Sequence, residues 1–190
     1  MEEKLSAMYK SIAQQTVNLI FDNWDKIYLL GEVEKTPELP VDESVGYALK
    51  ASYYYIDAES KEVIRGIDEH ANYISFSESQ ALNKELRNSI HDLNKVFRAE
   101  SQGDWSKIWD AFTLTIDNTG KFSMDYHYNF KDEHEDIFDK YNLNREFVWA
   151  YRTCGFKAEE GHPYRTNLEK YLQDQESRPK NSAKNSVDWT

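Results

Sequence analysis

Two short runs of alternating character constrain this chain most. Ala111-Phe112-Thr113-Leu114-Thr115-Ile116 alternates large apolar with small polar residues, and Lys121-Phe122-Ser123-Met124-Asp125-Tyr126-His127-Tyr128 does the same. Strand side chains point alternately to two faces, so each run fits a strand with one face in a core. Between them lies Asp117-Asn118-Thr119-Gly120, residues suited to a tight reversal. The pair predicts an antiparallel hairpin, with Phe112, Leu114, Ile116, Phe122, Met124, Tyr126 and Tyr128 facing the core.

The rest of the chain supplies partners for that hairpin. Lys26 to Val33 and Tyr47 to Ile56 are rich in β-formers and predict two strands, and Glu62 to Ile67 predicts a short third that closes a meander. Leu5, Met8, Ile12, Thr16, Leu19 and Ile20 recur at helical spacing, an amphipathic helix ended by Asp22-Asn23. Leu82, Leu86, Ile90, Leu93 and Phe97 mark a long helix, with Ser77 as its N-cap and Glu100 near its end. Trp105 to Trp109 forms a short bridge before the hairpin. Asn144 to Tyr151 and Tyr164 to Gln175 read as two later helices. Glu34 to Ser44, with Pro37 and Pro40, reads as a loop, and so does the acidic stretch Asp132 to Asp139. The predicted class is α+β: an antiparallel β-sheet of four to five strands packed against an N-terminal, a long central and C-terminal helices. Residues 1–175 read as a single domain and 176–190 as a flexible polar tail.

Composition narrows the function. The chain has 190 residues, 23 Lys plus Arg and 34 Asp plus Glu, a formal net charge of −11. That charge opposes DNA, RNA and anionic membranes as main partners and favours a basic one. The opening Met1-Glu2-Glu3-Lys4 is acidic, which argues against a signal peptide, and no apolar run is long enough to span a membrane. Cys154 is the single cysteine, which excludes an intrachain disulfide and suits the cytoplasm. Seven glycines and no phosphate-binding fingerprint argue against a nucleotide cofactor.

The candidates for chemistry are sparse. His127 and His134, with Asp125, Asp132 and Glu133, are a conceivable divalent-metal set, but no His-x-x-x-His or Cys-x-x-Cys pair supports them. Cys154 lacks the signature of a nucleophile. No catalytic residue, metal site or cofactor is assigned. Tyr53-Tyr54-Tyr55 on a strand must send side chains to both faces, so at least one faces outward or lies under a helix.

Charge patterning says more. Asp125, Asp132, Glu133, Glu135, Asp136 and Asp139 face only Lys131 in the same stretch, and Tyr126, Tyr128, Phe130, Phe138 and Tyr141 are interleaved. Aromatics anchor protein interfaces and acids steer a basic partner. The plainer reading is a solubilising loop whose aromatics complete the core. A second acidic stretch runs from Glu32 to Glu43.

The ordered segments resemble a known family. Glu3-Lys4-Leu5, Tyr9-Lys10, Ile12-Ala13 and Trp24-Asp25-Lys26-Ile27-Tyr28-Leu29 are similar to the opening of the YezG/EsaG-type immunity proteins. Leu86-Arg87 and Phe97 resemble the family's long central helix. Trp109-Asp110, Phe112-Thr113-Leu114 and Gly120 to Tyr128 resemble its hairpin, and Phe147 to Arg152 with Gly155 its late aromatic helix. The resemblance runs from about Glu3 to Leu172. Asp22-Asn23 before the first tryptophan, the loop from Glu34 to Ser44 and the segment Ile67 to Phe76 depart from the family pattern.

The resemblance implies a cytoplasmic antitoxin without catalysis or cofactor. It would bind the C-terminal domain of a cognate LXG-type polymorphic toxin of type VII secretion, often a nuclease, and would be a monomer or weak dimer when free. The expected partner-binding residues are Asp125, Tyr126, Tyr128, Asp132, Glu133, Glu135, Asp136 and Asp139. A small enzyme with a metal or cysteine site, and an orphan adaptor for several toxins, are the alternatives.

Overall fold

The computed structural model describes residues 2–33 and 49–177. The strands are β1 (Trp24–Glu32), β2 (Lys50–Asp57), β3 (Val63–Arg65), β4 (Ala111–Asp117) and β5 (Phe122–His127). They form one antiparallel sheet in the order β3-β2-β1-β4-β5. The helices are α1 (Glu2–Val17), α2 (Gly66–Glu69), α3 (Phe76–Glu100), α4 (Glu135–Tyr141), α5 (Arg145–Cys154) and α6 (Pro163–Ser177). The α+β class and the hairpin at residues 117–121 are as the sequence predicts. The start of the expected second strand, Tyr47 and Ala48, most of the second acidic stretch and most of the polar tail lie outside the described residues.

Both faces of the sheet are covered. On one, α1 and α3 bring Ile12, Leu86, Ile90 and Leu93 onto Ile27, Leu29, Tyr53, Tyr55, Phe112, Leu114 and Ile116. On the other, α4, α5 and α6 bring Ile137, Tyr141, Val148, Trp149 and Leu168 onto Tyr28, Leu30 and Tyr54. This two-sided burial explains why β1 is continuously apolar from Ile27 to Leu30, because neither face meets water. Tyr53, Tyr54 and Tyr55 are therefore all buried, with Tyr54 on the α5 side.

Several boundaries differ from expectation for local reasons. Helix α1 ends at Val17, and the backbone of Leu19 and Ile20 tightens onto Thr16 and Val17 before Asp22 is reached. The cap of α3 is Ser75, not Ser77. Ser75 Oγ accepts from the Glu78 amide while the Glu78 carboxylate accepts from the Ser75 amide, a reciprocal pair that closes the first turn. The expected loop Asp132–Asp139 is a 3₁₀ turn at Asp132–His134 followed by α4. Glu135 and Asp136 are its first two residues.

The edge strand β5 also departs from the expected pattern. Phe122 and Tyr128 were placed in the core but are 36% and 40% exposed. Phe122, Met124 and Tyr126 do share a face, but Met124 and Tyr126 are the ones packed against the α1/α3 core. Phe122 sits beside the turn, and Tyr128 lies past the last ladder pair.

Two predictions follow from this packing. Gly31 lies opposite Phe112 in the β1–β4 ladder, and a Cβ there would come within 2.4 Å of Phe112 Cε1. Gly31→Ala should cost about 1–3 kcal/mol in chemical denaturation, and Phe112→Leu in the same chain should restore part of it. A midpoint unchanged in Gly31→Ala would mean the ring yields freely. The second concerns His134, which is buried under the acidic segment and donates from Nδ1 to the Phe130 carbonyl at 2.6 Å. Burial holds its pKa below the usual 6.5, and partly buried His91 is shifted the same way. The unfolded chain then binds the proton more readily, so stability is full above about pH 6.5 and falls as pH drops toward the folded pKa. Melting temperature should decline over that window, less steeply in His134→Gln; an identical slope in that variant would exclude His134 as a contributor.

Candidate functional site

The segment carrying the predicted interface begins at a buried carboxylate. Asp110 accepts from the backbone amides of Phe130 and Lys131 at 3.1 and 3.2 Å, pinning the chain that leaves β5. Phe130 and His134 then pack as tilted rings, 4.5 Å between centroids, beneath the surface. Ile137 and Tyr141, four residues apart on one side of α4, face the core. Tyr141 Oη and Lys140 Nζ donate to Asp174 on α6 at 2.7 and 3.0 Å. Asn142 adopts a left-handed conformation that ends α4, and Asn144 caps α5 two residues later.

This frame divides the predicted residues. Asp125 is exposed on β5, paired in register with Thr113 and so on the face that carries Trp149. Tyr126 points to the opposite face. Its ring lies 5.0 Å from Phe97 and 5.5 Å from Trp109, and burial pushes its pKa upward. Tyr126 thus props β5 from below and offers no broad anchor. Tyr128 is substantially exposed, as are Glu133 in the 3₁₀ turn and Asp139 on α4. Asp132 lies in that turn and Glu135 and Asp136 at the start of α4.

The interleaved aromatics separate in the same way. Phe130 and Tyr141 complete the core, whereas Phe138 is 62% exposed on α4. Phe138 follows inward-facing Ile137 by one residue, a turn of about 100° around the helix. Phe138 thus presents an apolar ring to water beside exposed Asp139.

Other acids take structural roles. Glu32, which opens the second acidic stretch, is buried and pairs with Arg145 Nε at 2.5 Å. Glu146 is buried and accepts from Tyr54 Oη at 2.8 Å and Arg65 Nε at 3.0 Å. Neither is available to steer a partner.

The residues considered for catalysis are similarly engaged. Cys154 donates to the Ala150 carbonyl at 3.0 Å, and burial pushes its thiol up to about 11, far from a reactive thiolate. His127 Nε2 lies 2.9 Å from Thr113 Oγ1, which accepts from Trp149 Nε1 at 2.9 Å. His127 and Trp149 thus converge on the same threonine hydroxyl. Among the described residues no group of three or more His, Cys, Asp and Glu side chains could hold a metal ion. Buried His70, with Ser79 Oγ 2.6 Å from Nδ1, suggests a nucleophile and base, but its Nε2 is 2.9 Å from the Leu19 carbonyl and ties the link after α1 to α3. No helix among the described residues is long and apolar enough to cross a membrane.

One exposed patch had no place in the sequence reading of the site. Phe76 is 78% exposed at the start of α3, and exposed Tyr73 stacks on exposed Phe21 at 5.5 Å. The available signal was an aromatic residue just ahead of the apolar repeat that begins at Leu82.

The family model described as Immunity protein YezG-like matches residues 5–167. A relative named Immunity protein YezG, from Bacillus spizizenii (strain ATCC 23059 / NRRL B-14472 / W23), is 28% identical over 177 residues, 90% of this chain and 92% of the relative. Another of the same name, from Bacillus subtilis (strain 168), is 26% identical over 153 residues, 80% of this chain and 89% of the relative. Matched by that model over most of its length, this α+β chain belongs to the YezG-like immunity protein family.

Proposed function

We propose that this chain is a cytoplasmic immunity protein that binds the C-terminal domain of a cognate secreted LXG-type toxin and neutralises it before export. It acts by binding and catalyses no reaction of its own. The observation that carries this reading is the family match over residues 5–167. Charge supports the further identification of the toxin as a nuclease. A site that holds phosphates is basic, and this chain carries a net charge of −11. Nucleic acid and membrane are not its partners, and it is a monomer or weak dimer when free.

The contact surface in this reading is the segment from Asp125 through Tyr128, Asp132, Glu133, Glu135 and Asp136 to Asp139, with Tyr126 beneath it and Phe138 as its apolar anchor. Acids at the rim accelerate encounter, and the aromatic ring supplies burial once docked. The test uses the toxin domain encoded beside this gene, in a pull-down, a growth-rescue assay and a DNA-degradation assay. Reversing Glu133 and Asp139 to lysine should slow association about tenfold at low salt, with the gap closing as salt rises. Phe138→Ala should weaken the complex about tenfold through faster dissociation. Association and dissociation rates unchanged in both variants would remove this segment from the interface, while a wild-type chain that neither binds nor rescues would remove the immunity reading for that toxin.

A further inference from the structure

A cavity of about 510 Å³ opens between β3 and the chain that joins α5 to α6. Its wall is a run of rings in contact. Phe156 lies 6.2 Å from Phe147, Phe147 lies 4.3 Å from Tyr164, and Tyr164 lies 5.1 Å from His162. Phe147 and Phe156 are buried in the floor, while Tyr164 and His162 are exposed toward the mouth. Four carboxylates line the cavity, Glu62, Asp68, Glu69 and Glu159, against two cations, Arg65 and Lys157.

The two cations are already engaged. Arg65 pairs with buried Glu146 at 2.8 Å and with Asp68 at 3.3 Å, and Lys157 sits over the Tyr151 ring at 5.6 Å. Glu69 accepts from Asn72 at 2.7 Å. Exposed Glu62 and Glu159 stand at the rim. The wall itself demonstrates which chemistry it accepts. The guanidinium of Arg65 lies over Phe147 at 5.2 Å while its nitrogens reach a carboxylate, so an aromatic face and an acid together hold a planar cation.

We propose that this cavity receives an arginine or lysine side chain of the protein partner, its stem along Phe156 and Tyr164 and its charged head between Glu62 and Glu159. The proposal rests on the immunity reading for the existence of that partner, and it adds a specificity pocket separate from the α4 segment. Charge complementarity selects the occupant. An apolar side chain would leave the rim acids unanswered, and an acidic one would be repelled. A cation gains both the ring faces and the carboxylates.

Two arms test it with the full chain. In the first, Nα-acetyl-arginine amide is titrated while backbone amide resonances are followed, with the uncharged citrulline analogue as control. Shifts at Glu62–Arg65 and Phe156–Tyr164 should appear with the arginine probe, and be at least about tenfold weaker with citrulline or in Glu62→Lys/Glu159→Lys. In the second arm, the same double variant and Tyr164→Ala should each weaken the toxin complex about tenfold, while the amide spectrum shows the chain still folded. Equal shifts from both probes, or none, would overturn the pocket and leave the α4 interface standing. Probe binding with an unchanged toxin complex would overturn the pocket as a partner contact. Absence of any wild-type complex would overturn the immunity reading and this inference with it.

Discussion

A sheet covered on both faces must answer for every polar atom it carries inside. Three consecutive tyrosines on β2 make that demand acute. Tyr53 Oη meets His70 Nε2 at 3.0 Å, Tyr54 Oη donates to Glu146 at 2.8 Å, and Tyr55 Oη donates to Asp22 at 2.5 Å. The three partners come from the turn after α2, from α5 and from the link between α1 and β1. A buried hydroxyl left unpaired costs about 1–3 kcal/mol, so each tyrosine fixes where one covering element must sit. Burial raises the pKa of all three, which keeps the hydroxyls neutral. Glu146 closes the set by also binding Arg65, so the charge that Tyr54 requires is itself compensated.

That demand explains what could be read from the sequence. Alternation gave the β4–β5 hairpin, and apolar spacing gave α1 and α3, because those patterns persist over several periods. The burial of Tyr54 could not be read, because Tyr53-Tyr54-Tyr55 shows the same residue to both faces and alternation carries no information there. Helix α4 was missed for a different reason. Its seven residues span two turns, and Ile137 and Tyr141 are a single i, i+4 pair among charges. The cap of α3 differs by two residues because Ser77-x-x-Gln80 offers the same capping pattern as Ser75-x-x-Glu78. Phe122 and Tyr128 lay on strand pattern, but an edge strand is covered only where a helix reaches it.

The candidate site was legible in its composition but not in its sorting. Six acids and five aromatics alternate from Asp125 to Tyr141, and nothing in their order separates those that build from those that contact. The structure separates them by helix phase and strand face. Tyr126 goes under the sheet, Phe130 and Tyr141 go under α4, and Tyr128 and Phe138 remain at the surface. The plainer reading, in which the aromatics complete the core, holds for Tyr126, Phe130 and Tyr141.

That sorting bears on binding energy. The buried aromatics, the Asp110 bonds to the Phe130 and Lys131 amides and the Asp174 bonds to α4 hold the segment in place before any partner arrives. A contact surface ordered in advance loses less conformational freedom on docking than a loop would, so more of the energy of Phe138 burial is left as affinity. The ring-lined cavity shares this property, since Phe147 and Phe156 are fixed in the same apolar cluster as Ile137 and Tyr141. Both proposed surfaces thus belong to the layer on the Tyr54 side of the sheet. The helices α1 and α3 close the opposite face, so the core there can vary without touching either proposed surface.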